Sequence, residues 1–114
     1  MASQINTSGK NAMLDALGTL CTYMALYTDA AGTTEVTGGT YARKAITWAA
    51  ASSGSKAING TMPVFDVPAG TTVAAVGFCT AAVAGTQHAV DDVTSETFGG
   101  AGTYTVTSAS ISLT

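Results

Sequence analysis

The chain has 114 residues, of which 21 are Ala, 13 Gly, 9 Ser and 20 Thr, and only 11 are charged, 4 basic and 7 acidic, for a net charge of -3. Four basic side chains cannot neutralise a phosphate track, which excludes a nucleic-acid binder, and 46% hydrophobic content with 10% charge is the reverse of a disordered composition. The length suits one domain, residues 1–114, able to bury roughly 65% of its unfolded surface, enough for one core but not two.

In chain order, residues 1–9 are polar and read as an arm, flexible or laid on a partner. They lack the charged and apolar regions of a secretory signal, so synthesis and assembly in a cytoplasm are expected. Residues 10–20 carry Met13, Leu14, Leu17 and Leu20 at helical spacing, with Ser8 as the N-cap and Gly9 weakening the first turn. Residues 21–28 alternate Tyr23 and Tyr27 with Met24 and Leu26, apolar on both faces, as in a strand held between two layers. Residues 29–40 form a polar loop.

Residues 43–48 read as one strand, with Lys44, Ile46 and Trp48 on one face and Lys44 at its edge. Residues 49–55 are turn material. Residues 57–67 form a strand region containing Ile58, Met62, Val64 and Phe65, with Asn59-Gly60 a turn or bulge and Pro63 pointing to an edge position. Val67-Pro68-Ala69-Gly70 is a turn, because proline presets φ and glycine permits a positive one. Residues 71–80 carry the strongest strand pattern. After a small-residue turn at 81–85, a short strand at 86–90 is expected to break at Asp91-Asp92. In residues 103–113 the apolar side chains switch faces between Val106 and Ile111, which predicts a bulge or a crossing between sheets. The fold class is therefore mainly β, a small β-sandwich or barrel with one N-terminal α-helix. No run approaches 18 apolar residues, so no membrane helix is expected.

Chemistry is sparse. Cys21 and Cys79 lie in apolar segments and read as two buried thiols, with a disulfide left open and no metal-ligand spacing. The single His88 lies near Asp91 and Asp92, but residues three apart on a strand point to opposite faces, so a solvent-facing role is expected. Asp15, Asp29, Glu35 and Asp66 are scattered among turns and caps. There is no Gly-x-Ser-x-Gly, and no glycine loop leads into a lysine and a helix. No enzyme, cofactor or metal is expected. Trp48 and the tyrosines Tyr23, Tyr27, Tyr41 and Tyr104 offer stacking surface for a host glycan, against which stands a core position for Trp48. A surface of Thr, Ser, Ala and Gly costs little entropy to immobilise and suits broad contact with neighbours.

The ordered motifs Asn11-Ala-Met-Leu-Asp-Ala-Leu, Met24-Ala-Leu-Tyr-Thr-Asp, Glu35-Val-Thr-Gly-Gly-Thr-Tyr-Ala-Arg-Lys-Ala-Ile-Thr-Trp and Phe65-Asp-Val-Pro-Ala-Gly-Thr-Thr-Val-Ala-Ala-Val-Gly-Phe cover most of the chain. Together they resemble a family of small structural proteins of tailed bacteriophages. The chain departs from that pattern at Cys79-Thr-Ala-Ala-Val-Ala-Gly, where many relatives have a shorter aromatic segment. The resemblance implies a non-enzymatic virion protein assembled in the host cytoplasm. Its first implication is a capsid decoration (cement) protein on the capsid surface, with the major capsid protein as partner; the alternative is a tail or fibre-associated virion protein. It also implies a homo-oligomer, a dimer or trimer, with no nucleic-acid or membrane partner. Glu35, Tyr41 and Arg43 are the candidate partner contacts, against the plainer role of a loop pinned by its own Tyr and Arg.

Overall fold

The computed structural model describes residues 3–113. Helix α1 (Thr7–Leu20) starts three residues before the expected position, because Lys10 N–H already donates to Asn6 C=O at 3.0 Å. Asn6 is the N-cap, in extended conformation and without a side-chain bond. Ser8 is therefore inside the first turn and caps nothing, and residues 7–9 of the expected arm are helical. Met1 and Ala2 lie outside the described residues. Leu14 and Gly18, four apart on one face, are the residues the helix buries.

Strand β1 (Tyr23–Tyr27) pairs antiparallel with β2 (Lys44–Ala45) on one side and with β6 (Thr71–Cys79) on the other. Strand β7 (Gln87–Phe98) completes the sheet in the order β2-β1-β6-β7. Both faces of the central pair are covered, as the double apolar pattern predicts. Met24, Leu26, Val76 and Phe78 join Leu14, Phe65, Val67 and Ile111 in the main core. Ala25, Tyr27, Ala75 and Cys79 form a second, smaller cluster on the opposite face. Cys21 belongs to the first cluster and Cys79 to the second, and both are free buried thiols.

The remaining strands make two small sheets. One has the order β3 (Thr47–Trp48), β4 (Ser55–Asn59), β9 (Ser110–Ser112); the other pairs β5 (Val64–Val67) with β8 (Gly102–Thr105). Residues 43–48 are thus two strands in different sheets, with buried Ile46 at the corner and its N–H bonded to Thr22 C=O. A continuous alternating pattern does not reveal this change of partner. The 57–67 region divides likewise, at Gly60 with φ 73°. The face switch after Val106 is a true crossing, since β8 and β9 belong to different sheets. The turn before β6 forms as expected, with Gly70 at φ 77°.

Asp91 and Asp92 do not end a strand. Strand β7 runs through them, opposite Val76 and Ala75. It is the last strand of its sheet, so acidic side chains there reach water without leaving the ladder. Its register jumps near His88 and again between Asp92 and Glu96, placing bulges at both positions. Twelve residues of strand extend roughly 36–40 Å, longer than either short dimension of a molecule measuring 53 × 28 × 24 Å.

Candidate functional site

After β1 the chain turns at Asp29, whose carboxylate accepts the N–H groups of Thr33 and Thr34. It then runs back beside β1, with Val36 N–H bonded to Leu26 C=O at 3.0 Å and Glu35 bridging to Tyr27. This return places the Glu35 carboxylate where residues 41–43 pass. Arg43 donates to it through Nε to Oε2 (3.0 Å) and through Nη2 to Oε1 (2.9 Å), the two-point fork a guanidinium makes with a carboxylate. Tyr41 donates its hydroxyl to Oε2 at 2.7 Å, and the Tyr41 hydroxyl oxygen in turn accepts Leu26 N–H at 2.9 Å. The structure thus brings Glu35, Tyr41 and Arg43 together, bonded to one another.

The third guanidinium nitrogen reaches further. Arg43 Nη1 donates to Ala81 C=O (3.0 Å) and Ala84 C=O (2.6 Å) in the loop joining β6 to β7. That loop is also closed by Thr80 N–H to Thr86 C=O and by Thr86 N–H to the Thr80 hydroxyl. Ala84 and Gly85 adopt φ of 60° and 71°; for alanine this left-handed backbone is strained, and the bonds around it hold it there. The result is a fixed loop with Ala82, Val83 and Ala84 exposed, Val83 to 83%. Beside it lies a cleft of about 360 Å³, lined by Val36, Thr37, Gly38, Ala42 and the clamp as well as by the loop.

Burial alone would raise the Glu35 pKa, but the hydrogen bonds from Arg43 and Tyr41 and the guanidinium charge outweigh it and hold the carboxyl below its ordinary range. Burial, reinforced by the Glu35 charge, raises the Tyr41 phenol. Glu35 stays ionised and Tyr41 neutral at neutral pH, so the charges of Arg43 and Glu35 cancel locally.

The other sequence candidates lie apart. His88 is exposed, and the Asp91 carboxylate faces Ser110 N–H at 3.4 Å. Among the described residues, no three His, Cys, Asp or Glu side chains gather as a metal cluster would. Trp48 is half-buried, its indole N–H donating to Cys21 C=O at 2.8 Å and its ring 5.0 Å from that of Phe78. Tyr27 is buried and Tyr41 stacks on Phe65. Two features escape the sequence reading. One is the apolar loop tip, flagged only by its run of small residues. The other is Lys56, 6% exposed, bonded to Asp15 Oδ1 (2.6 Å) and Ala49 C=O (2.9 Å). Its alternation with Ile58 was the available signal, since both point inward from β4.

Comparison with known proteins bears on this face only through the chain as a whole. No curated protein and no solved structure matches. A family model does, that of the podophage GP4 fiber I protein gp80, aligned with residues 5–114. The match takes in α1, every strand, the clamp and the loop tip, and it agrees with the likeness to tailed-phage structural proteins carried by the ordered motifs. The chain belongs to the Gp80 family of podophage fibre proteins.

Proposed function

We propose that the chain is a non-enzymatic structural component of a podophage tail fibre, and that it acts by contact with neighbouring virion proteins. The observation that carries this reading is the family match over nearly the whole chain, whose description names a fibre. It favours the fibre over the capsid shell that the motif resemblance put first. The chemistry of the surface supports it: the best-organised polar cluster, Glu35-Tyr41-Arg43, spends its hydrogen bonds on fixing its own loop and the loop tip beside it. In this reading the clamp residues serve partner contact by shaping that face.

The test is location in the particle. Virions are separated into heads and tails, and each fraction is analysed by mass spectrometry for this chain, with gold-labelled antibody on intact particles. Recovery with the tails and label at the tail appendages is the expected result. Label spread over the head, with the chain in the head fraction, would return it to the capsid surface and to the major capsid protein as partner.

A further inference from the structure

We infer that Asn59-Gly60 is a self-modifying site: the backbone nitrogen of Gly60 closes on the Asn59 side chain, with the Thr47 hydroxyl as activating donor, and the asparagine becomes isoaspartate and aspartate. This is independent of the fibre reading and requires no molecule other than water.

The chain holds three asparagines, Asn6, Asn11 and Asn59, and only the last is followed by glycine. Asn59 is the final residue of β4, and both it and Gly60 are exposed. Ring closure begins with loss of the Gly60 N–H proton, so a hydrogen bond on that group would oppose it. Ile58 N–H, two residues earlier, donates to Ala109 C=O, but the chain leaves the ladder after Asn59. Among the described residues Gly60 N–H donates to no protein acceptor. Glycine also puts no side chain in the path of attack, and none could be added. Its φ is 73°, and a Cβ there would lie 2.8 Å from Thr47 Oγ1.

The other two asparagines are placed differently. Asn11 stands within α1, where the next N–H belongs to the helix ladder, and its Oδ1 accepts Gly54 N–H at 3.0 Å. Asn6 precedes Thr7, whose branched Cβ crowds the attacking nitrogen.

Thr47 adds the activating contact. It sits opposite Asn59 in the β3–β4 register, and its hydroxyl is 2.9 Å from Asn59 Oδ1 and 2.9 Å from Asn59 C=O. Donated to Oδ1, the hydroxyl proton draws electron density from Cγ. It also meets the oxygen on which negative charge builds as the nitrogen attacks.

Water or hydroxide takes the Gly60 proton, the N–Cγ bond forms, and the Cγ–Nδ2 bond breaks with release of ammonia, leaving a cyclic imide. One water then opens the ring. Addition at Cγ gives aspartate; addition at the Asn59 main-chain carbonyl gives isoaspartate, with the backbone routed through the former side chain. Ammonia is lost and water gained, with no change of oxidation state. Either product adds a carboxylate to a chain of net charge -3, and isoaspartate inserts a methylene into the backbone where it passes from β4 to β5.

The test keeps the purified full chain in mildly alkaline buffer and follows it by peptide mapping with mass spectrometry and by isoaspartate methyltransferase labelling. The Asn59 peptide is expected to gain the mass difference between water and ammonia and to accept methyl groups, while Asn6 and Asn11 stay intact. Asn59→Gln, which must close a larger ring, should abolish methyl acceptance. Thr47→Val should slow conversion in the folded chain by about 3- to 10-fold, the worth of one hydrogen bond. Thr47→Ser should restore the rate, and neither variant should alter it in urea. Circular dichroism checks that the variants fold. An Asn59 that survives in the folded chain yet converts in urea, conversion of Asn6 or Asn11 at an equal rate, or a folded Thr47→Val chain as fast as the wild type would each overturn the inference.

Discussion

Lys56 fills the space that a methyl group on Gly18 would need. A Cβ built on Gly18 runs into the Lys56 Cε, and that side chain cannot simply swing aside because Asp15 and Ala49 hold its ammonium. Helix α1 and strand β4 are joined there by an ion pair inserted where the helix presents bare backbone.

Alanine is the better helix former by roughly 1 kcal/mol, so propensity alone favours Gly18→Ala. The packing opposes that gain: displacing the lysine stem costs about 1–3 kcal/mol, and the variant is expected to be less stable by up to about 2 kcal/mol in urea unfolding. In a Lys56→Ala background the obstruction is gone, and Gly18→Ala should then be neutral or stabilising. A Gly18→Ala chain more stable than wild type in both backgrounds would refute the arrangement.

Glu35 supplies the next prediction. Its folded pKa lies below its unfolded value near 4.5, so its contribution is complete above that pH and is lost as the pH falls through the lower, folded value. Asp15, held down chiefly by Lys56, and Asp29, held down chiefly by Thr33, act in the same direction. Glu35→Gln breaks the charged fork and should cost about 1–3 kcal/mol at neutral pH. It should also flatten the loss of Tm below about pH 4.5 without abolishing it, because the two aspartates remain. Parallel thermal melts of wild type and variant from neutral to acid pH measure both effects.

The thiols make a redox prediction. Burial raises the Cys21 pKa, which lowers its reactivity, and Cys79 packs in a separate cluster against the Tyr27 hydroxyl at 3.6 Å. A thiol reagent should label neither cysteine in the folded chain and both in urea, and a reductant should leave Tm unchanged. Labelling of fewer than two thiols in urea, restored by reductant, would reveal a disulfide instead.

Tyr27 and Gly77 form another close fit. A Cβ on Gly77 would strike the Tyr27 ring, so the glycine is the floor on which the phenol lies. Burial, then the bond to Cys79, pushes that phenol up to about 12. Gly77→Ala should destabilise by about 1–3 kcal/mol through overpacking and lift the ring toward water. Ultraviolet titration should then show one late-ionising tyrosine fewer, with the buried Tyr41 phenol still titrating late. An unchanged titration curve would mean that the ring does not rest there.

Much of this was legible along the chain because it is local. The β1 and β6 patterns, the Pro68-Gly70 turn and the face switch after Val106 each state their structure within a few residues. Pairing is not local. Nothing between Arg43 and Trp48 tells the chain to leave β1 at Ala45 and join β4 at Thr47; the corner is set by Ile46 finding the core. Likewise Asp91 and Asp92 look like a strand end only if a strand is assumed to have two neighbours. The clamp residues were recognised as a group, but its reach to Ala81 and Ala84 depends on a β6–β7 turn some 40 residues further on.

The passages of chain between sheets, at Ile46, at residues 60–63 and at residues 106–109, affect how the molecule responds to a pull. Sheets joined only by side chains can slide apart like stacked cards. Here the covalent backbone is threaded from one layer to another like a running stitch, so tension on one layer is passed directly to the other. Parting the layers then requires hydrogen bonds at the corners, such as Ile46 to Thr22 and Val106 to Pro63, to break along with the packing. For a protein of a fibre family, such stitching provides toughness without a disulfide between the layers.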